Sequence, residues 1–157
     1  KTAKELGLRV SLDLASYNVV EQHRDFLNEI IDLYADIIFA NEEESKSITG
    51  ASPEQALNIL GEMVDIAVVK IGKNGSMVKK GNDIFKAGIR AANAIDTTGA
   101  GDLFASGFLY GYINNYPFDK CAELGAITSG YVVEVLGAKM NGEIWGKIKS
   151  DIQKIKF

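Results

Sequence analysis

The chain has very little cysteine, a single residue among 157, and this scarcity excludes a disulfide-stabilised domain and argues against a zinc-stabilised one. With Cys121 alone no internal disulfide can form, and no cysteine spacing typical of a zinc site is present. Such a composition fits a reducing cytoplasm best, so a cytoplasmic location is predicted. Cys121 itself is expected to be a small core residue rather than a nucleophile.

A strong excess of positive charge and a long apolar run are also absent. Seventeen basic residues against twenty-one acidic residues leave a net charge of −4, which provides no broad cationic surface for nucleic acid or an anionic membrane. The longest uncharged stretch, residues 103–118, contains polar residues and is shorter than the roughly 20 apolar residues of a membrane span. We therefore expect neither nucleic acid nor a membrane as a partner.

Two catalytic patterns are missing as well. His23 is the only histidine, it is expected to face solvent, and it forms no convincing triad with a serine or cysteine. No Gly-x-Gly-x-x-Gly follows the first predicted strand, which argues against a dinucleotide-dependent oxidoreductase.

What is present is an alternation of strand and helix patterns. Strands are predicted, in chain order, over residues 9–15, 36–40, 66–71, 76–80 and 84–86, and residues 87–95 are expected to be extended. Turns at 72–75 and 81–83 join the last three strands, which predicts a small antiparallel meander. Between the first three strands, helices are predicted after a capping box at Asn18 and Glu21, from residues 41–44 to the stop at Thr49-Gly50, and after a cap at Ser52. Further helices are predicted from Gly99 onward, over about 119–136 and over about 142–156. Strands alternating with helices favour an α/β architecture with a mainly parallel sheet, and 1–157 is interpreted as a single domain.

The most informative segment runs from Ile95 to Gly107, where an extended stretch leads through Gly99-Ala100-Gly101 into a helix. Free N–H groups and the dipole at a helix start favour an anion. Asp102 would repel a phosphate, but it suits a base that deprotonates an attacking hydroxyl beside the transferred group. The alternative, which the spacing leaves open, is a simple turn followed by an acidic residue in the first helical turn.

Residues 96–102, Asp-Thr-Thr-Gly-Ala-Gly-Asp, closely resemble the C-terminal signature of the PfkB (ribokinase-like) family of sugar and nucleoside kinases. The resemblance implies a ribokinase-like three-layer α/β/α fold lacking its N-terminal part, and transfer of a phosphoryl group from ATP to a hydroxymethyl group. It also implies these roles: an anion hole at Gly99, Ala100 and Gly101, a catalytic base at Asp102, and a monovalent cation such as K⁺ beside Asp96, Thr98 and Gly137.

Two further segments match the family in the same order. Residues 41–44, Asn-Glu-Glu-Glu, resemble its Asn-x-x-Glu motif, which implies that Asn41 and Glu44 hold Mg²⁺ and phosphates largely through water. Helix capping by Asn41 is the alternative. Residues 70–75 resemble the nucleotide-contacting strand end and turn, which implicates Lys70, Gly72 and Gly75, although the family often has threonine at position 70. A hairpin turn is the alternative there.

Residues 11–20 resemble the family's central strand in a form associated with adenosine-kinase-like members, so adenosine is the leading substrate among sugars and nucleosides. Asp13 is either near the phosphate site or a simple strand-end carboxylate. Residues 1–7 look like the last turns of a helix, so we expect the chain to be part of a longer protein. Because the family's substrate pocket belongs mainly to its N-terminal half, an inactive nucleotide-binding fragment is the alternative function. A homodimer is among the expected assembly states.

Overall fold

A computed structural model describes residues 1–155, which contain α-helices and a five-stranded sheet. The helices are α1 (Thr2–Glu5), α2 (Tyr17–Gln22), α3 (Arg24–Tyr34), α4 (Glu42–Thr49), α5 (Pro53–Met63), α6 (Ala100–Ile113), α7 (Phe118–Val132) and α8 (Gly142–Ile152). The strands are β1 (Ser11–Asp13), β2 (Ile37–Asn41), β3 (Ile66–Lys70), β4 (Ser76–Lys80) and β5 (Asp83–Ala87). A 3₁₀ turn, Gly72–Asn74, connects β3 to β4.

The sheet has the strand order β1-β2-β3-β4-β5. β1 pairs with β2 and β2 with β3 in parallel, and β3 pairs with β4 in antiparallel orientation. The prediction of an α/β fold with parallel strands followed by an antiparallel hairpin is therefore confirmed. Because parallel strands point the same way, the carboxyl ends of β1, β2 and β3 lie along one edge of the sheet.

The described chain divides into two compact units, and the assignment of the whole chain to a single domain stays a prediction. The first unit comprises residues 1–72 and 76–85, and the second comprises residues 73–75 and those from 86 onward. In the first unit, β2 and β3 are buried along four consecutive residues each, as their continuous apolar sequence predicts. The apolar faces of α3 and α5 pack into the same core through Ile31, Leu57 and Leu60.

In the second unit, α6 and α7 approach each other closely because glycine lies at the contact. A Cβ atom at Gly107 would lie 2.5 Å from Oγ1 of Thr128 and 2.6 Å from the carbonyl oxygen of Leu124. The Thr128 hydroxyl also donates to the carbonyl of Leu103 at 2.6 Å, which ties the first turn of α6 to α7. Cys121 is fully buried at this contact, which confirms its prediction as a core residue.

Several predicted boundaries are wrong. β1 ends at Asp13 rather than at Ala15, because Ala15 has a left-handed φ of 63°. Residues 88–95, predicted to be extended, contain no strand; the N–H groups of Asn93 and Ile95 bond to Glu134 and Val133, just after α7. α7 ends at Val132, and α8 ends at Ile152, while Lys156 of the predicted last helix lies outside the described residues.

Candidate functional site

Three polar residues end the three parallel strands of the first unit. Asp13 is the last residue of β1, Asn41 the last of β2 and Lys70 the last of β3, and Asn41 pairs with Lys70 in register. The Nζ atom of Lys70 lies 3.1 Å from Oδ2 of Asp13. In open α/β sheets ligands bind at the carboxyl ends of the strands, so this edge is a candidate binding site.

Asn41 and Glu44 form a complete capping box at the start of α4. The Asn41 side-chain oxygen accepts from the Glu44 N–H, and the Glu44 carboxylate accepts from the Asn41 N–H and from the Asn41 side-chain amide, each at 2.8 Å. The capping alternative is therefore confirmed. The role of these two side chains toward Mg²⁺ and phosphates stays a prediction.

Glu44 is a buried carboxyl group, with 4% of its surface exposed. Burial raises the pKa of Glu44 above its ordinary value, although the Asn41 N–H and the charge of Lys70 act in the opposite direction. Each carboxylate oxygen already accepts one hydrogen bond and keeps acceptor capacity for one more. Among the described residues, no three histidine, cysteine or acidic side chains converge to hold a metal ion.

The turn after β3 is shaped by glycine. Gly72 has a left-handed φ of 50°, and a Cβ there would approach Oε2 of Glu42 at 3.7 Å. Gly75 has a φ of 91°, and a Cβ at this position would collide with the carbonyl oxygen of Ala87. Gly75 therefore has a structural role as the close neighbour of another backbone segment. Contacts of Gly72 and Gly75 with a nucleotide stay a prediction.

In the second unit, α6 begins with unbonded N–H groups. Its N-cap is Gly99, with a φ of 80° and no side chain to cap the helix. The Ala100 N–H donates to the carbonyl of Thr97 at 3.1 Å, and the Leu103 N–H to that of Gly99 at 2.9 Å. Within residues 1–155, the N–H groups of Gly101 and Asp102 have no such partner. The free donors at the start of α6 thus belong to residues 101 and 102, while an anion hole formed by Gly99, Ala100 and Gly101 stays a prediction.

The side chain of Asp102 is exposed in the first turn of α6. No other residue of the described chain forms a hydrogen bond or ion pair with its carboxylate, while its backbone carbonyl accepts the Ser106 hydroxyl at 2.8 Å. A carboxylate without internal partners beside free N–H groups is available to a ligand.

The structure brings together the three residues predicted to flank a monovalent cation. Oδ1 of Asp96 accepts the Thr98 N–H at 2.9 Å and the Thr98 hydroxyl at 2.7 Å, and Oδ2 accepts the Gly137 N–H at 2.8 Å. These bonds, the Thr98 hydroxyl first, lower the pKa of Asp96. A cation beside Asp96, Thr98 and Gly137 stays a prediction.

Sequence reasoning missed two side-chain pairs, Asp13 with Lys70 and Arg90 with Glu134. The members of these pairs lie 57 and 44 residues apart, and no local spacing signals either contact. The exposed position of His23 is confirmed. No helix in the described part of the chain combines the length and apolar character needed to cross a membrane.

Comparison with known proteins supports the family resemblance. A model of the pfkB family carbohydrate kinases matches residues 8–143. The chain is 33% identical to a nucleoside kinase of Methanocaldococcus jannaschii over 150 residues, which are 90% of this chain and 45% of that protein. The chain therefore spans about half the length of such relatives.

Two solved structures also resemble it, each with a TM-score of 0.89 over 95% of this chain and 46% of the other. One is a probable sugar kinase from Rhizobium etli, at 32% identity, and the other is adenosine kinase from Sinorhizobium meliloti, at 28% identity. The predicted ribokinase-like α/β fold is thereby confirmed, and the chain belongs to the pfkB family of carbohydrate kinases.

Proposed function

We propose that this chain carries the nucleotide-binding and phosphoryl-transfer residues of a cytoplasmic ATP-dependent kinase whose acceptor is a hydroxymethyl group of a sugar or nucleoside. The observation that carries the proposal is the start of α6, where the unbonded N–H groups of Gly101 and Asp102 adjoin an exposed carboxylate without internal partners. Family membership over residues 8–143 supports the same reaction class.

Asp102 is the proposed base. Its carboxylate would accept a hydrogen bond from the acceptor hydroxyl, orient the oxygen toward the phosphoryl group and take the proton as the bond to phosphorus forms. The N–H groups of Gly101 and Asp102, at the positive end of the α6 dipole, would stabilise charge on the transferred phosphoryl oxygens. Donors and base come from the same helical turn, so their spacing is fixed by the helix.

Lys70, Asn41 and Glu44 are the proposed contacts to the nucleotide phosphates and their Mg²⁺. Mg²⁺ bound with ATP would neutralise phosphate charge, and the Asn41–Glu44 pair would hold its waters through the acceptor capacity that the capping box leaves. Lys70 supplies the positive charge at the same sheet edge. Residues 96, 98 and 137 would support a monovalent cation such as K⁺ beside α6.

Adenosine is the leading proposed acceptor. The similarity to a nucleoside kinase and to an adenosine kinase structure favours a nucleoside, whereas the similarity to a probable sugar kinase keeps sugars in the candidate set. The second candidate function is nucleotide binding without transfer, because the chain spans only 45% of the nucleoside kinase it matches.

The test combines calorimetry with MgATP and an ADP-release assay against adenosine, ribose, fructose and 2-keto-3-deoxygluconate. Transfer to one acceptor is expected, and Asp102→Asn should lower kcat by about 10²- to 10⁴-fold while ATP affinity is retained. The matched control is Asp25→Asn, which neutralises another exposed aspartate in the first turn of a helix. Full turnover by Asp102→Asn would overturn the base assignment. ATP binding with no transfer to any acceptor would favour the second candidate.

A further inference from the structure

Arg90 is held firmly although it lies in a segment without regular secondary structure. Its guanidinium carbon lies 3.6 Å from the centroid of the Tyr131 ring, and its Nη1 donates to the carbonyl of Gly130 at 3.0 Å. The Tyr131 hydroxyl donates in turn to Asp151 of α8 at 2.7 Å, which fixes the ring. A Cβ at Gly130 would lie 2.8 Å from that of Arg90, so this packing depends on a glycine in α7.

Glu134 joins Arg90 to the next part of the same segment. Oε2 of Glu134 pairs with Nη1 of Arg90 at 3.0 Å, and Oε1 accepts the N–H of Asn93 at 3.1 Å. Both charged side chains are largely shielded, with 23% of Arg90 and 30% of Glu134 exposed. Charge-assisted bonds in such surroundings are stronger than those of an exposed surface pair.

The attachment continues toward α6. The carbonyl of Val133 accepts the N–H groups of Ile95 at 2.7 Å and Asp96 at 3.2 Å. Asp96 then bonds to Thr98 and Gly137, and Gly99 follows as the N-cap of α6. Residues 90–98 are named the docking segment. Along its length this segment is bonded to the end of α7 and to the loop after α7.

We infer that Arg90 and Glu134 are positioning residues that hold the docking segment against the end of α7 and thereby fix the anion-binding start of α6. The inference rests on the proposed function, because the proposed function assigns phosphate binding to the start of α6. Neither Arg90 nor Glu134 is proposed to touch the reacting groups. Their effect is transmitted through the backbone bonds of residues 93, 95 and 96.

The decisive variant is Glu134→Gln, which keeps the size of the side chain and its acceptor for Asn93 but removes the charge facing Arg90. Amide hydrogen exchange at Thr98 and Ala100, whose N–H groups bond to Asp96 and Thr97, should become about tenfold faster, while exchange at Phe108 and Leu124 in the buried helix contact stays unchanged. In the transfer assay kcat should fall about tenfold or more with the acceptor KM unchanged, since a small misplacement of catalytic groups is costly.

The matched control is Glu123→Gln. This change breaks an ion pair within α7, Glu123 with Lys120, whose separation is also 3.0 Å, but within residues 1–155 no hydrogen bond or ion pair joins that pair to the docking segment. A second test variant, Arg90→Lys, keeps the charge for Glu134 but loses the flat contact with Tyr131, and it should give a smaller change in the same direction.

Faster exchange confined to residues 98–100, together with the fall in kcat, supports the inference. Exchange in Glu134→Gln equal to that in Glu123→Gln overturns it, and so does faster exchange spread evenly over α6 and α7, which would signal general destabilisation. If the unmodified chain neither binds ATP nor transfers phosphate, the proposed function fails, and the exchange comparison still decides whether these residues position the start of α6.

Discussion

Lys70 and Asp13 form an ion pair that spans the end of the strand lying between them. Nζ of Lys70, on β3, is 3.1 Å from Oδ2 of Asp13, on β1, and β2 separates these strands in the sheet. The other oxygen of Asp13 accepts the N–H of Ala15 at 3.0 Å, where the chain takes up its left-handed φ. Asp13 is thus fixed at both oxygens, and only 15% of the Lys70 side chain is exposed. The pair keeps the ammonium group of Lys70 at the sheet edge proposed to bind phosphates.

Replacing Lys70 by methionine should weaken MgATP binding about tenfold, because one charge-assisted phosphate contact is lost while the length of the side chain is kept. Calorimetry measures the change. Lys46→Met is the control, since Lys46 is an exposed lysine on α4. Equal affinities of the two variants would exclude a phosphate contact by Lys70.

Replacing Gly99 by alanine should destabilise the chain by about 2 kcal/mol, because the new Cβ would combine a left-handed φ with a contact of 2.7 Å to the Cβ of Ala138. Gly137→Ala separates the two causes, since Gly137 has a φ of 72° but no atom within 4 Å of a built Cβ. Urea unfolding should show a loss of only about 1 kcal/mol for Gly137→Ala. Identical losses would mean that backbone conformation alone sets the requirement at position 99.

Asp36 should make the first unit sensitive to acid. Burial raises the pKa of Asp36, but hydrogen bonds from Lys4 and the Val10 N–H, each at 2.7 Å, together with Arg9, bring the pKa below its ordinary value of 3.8. A lowered pKa in the folded state means that this stabilisation is present above pH 3.8 and is lost as pH falls through the folded-state pKa.

The corresponding variant is Asp36→Asn. It should lower the free energy of unfolding at pH 7 by about 2 kcal/mol and flatten the loss of stability below pH 4. Urea unfolding across this pH range is the measurement, with Asp32→Asn, at an exposed position of α3, as the control. An unchanged acid transition in Asp36→Asn would contradict the role of the lysine and backbone bonds.

Cys121 should resist alkylation in the folded protein. Burial raises the pKa of its thiol to about 11, and the thiol donates to the carbonyl of Tyr116 at 3.4 Å. Iodoacetamide at pH 8 should therefore modify the native chain far more slowly than the chain in urea, as measured by mass spectrometry. Similar rates in both conditions would show that the α6–α7 contact opens readily.

The local patterns of the sequence predict most of the first unit. β4 lies at residues 76–80 as predicted, and β2 and β3 lie within one residue of the predicted runs, because turn glycines and apolar stretches act over a few residues. Asn41 and Glu44 show the limit of such reasoning. Their spacing of three residues fits both a capping box and a phosphate motif, and the structure confirms the first without testing the second.

The docking segment could not be predicted in the same way. Residues 87–95 are predicted to be extended, and nothing in their pattern shows that Asn93 and Ile95 bond to the carboxylate of Glu134 and the carbonyl of Val133, just after a helix some forty residues later. The Asp13–Lys70 pair likewise depends on the order of strands in the sheet. No stretch of a few consecutive residues indicates the strand order or the helix end to which the docking segment bonds.

The glycine contact between α6 and α7 has a consequence for motion. Where a helix meets its neighbour through Gly107 and Gly111 on one side and Gly125 on the other, no room remains for even one additional Cβ atom. Sliding or rotation of α6 against α7 would force the atoms at this contact together. A displacement of the whole of α6 should therefore carry α7 with it, whereas the first turn of α6, which lies before these glycines, can be displaced without moving the contact.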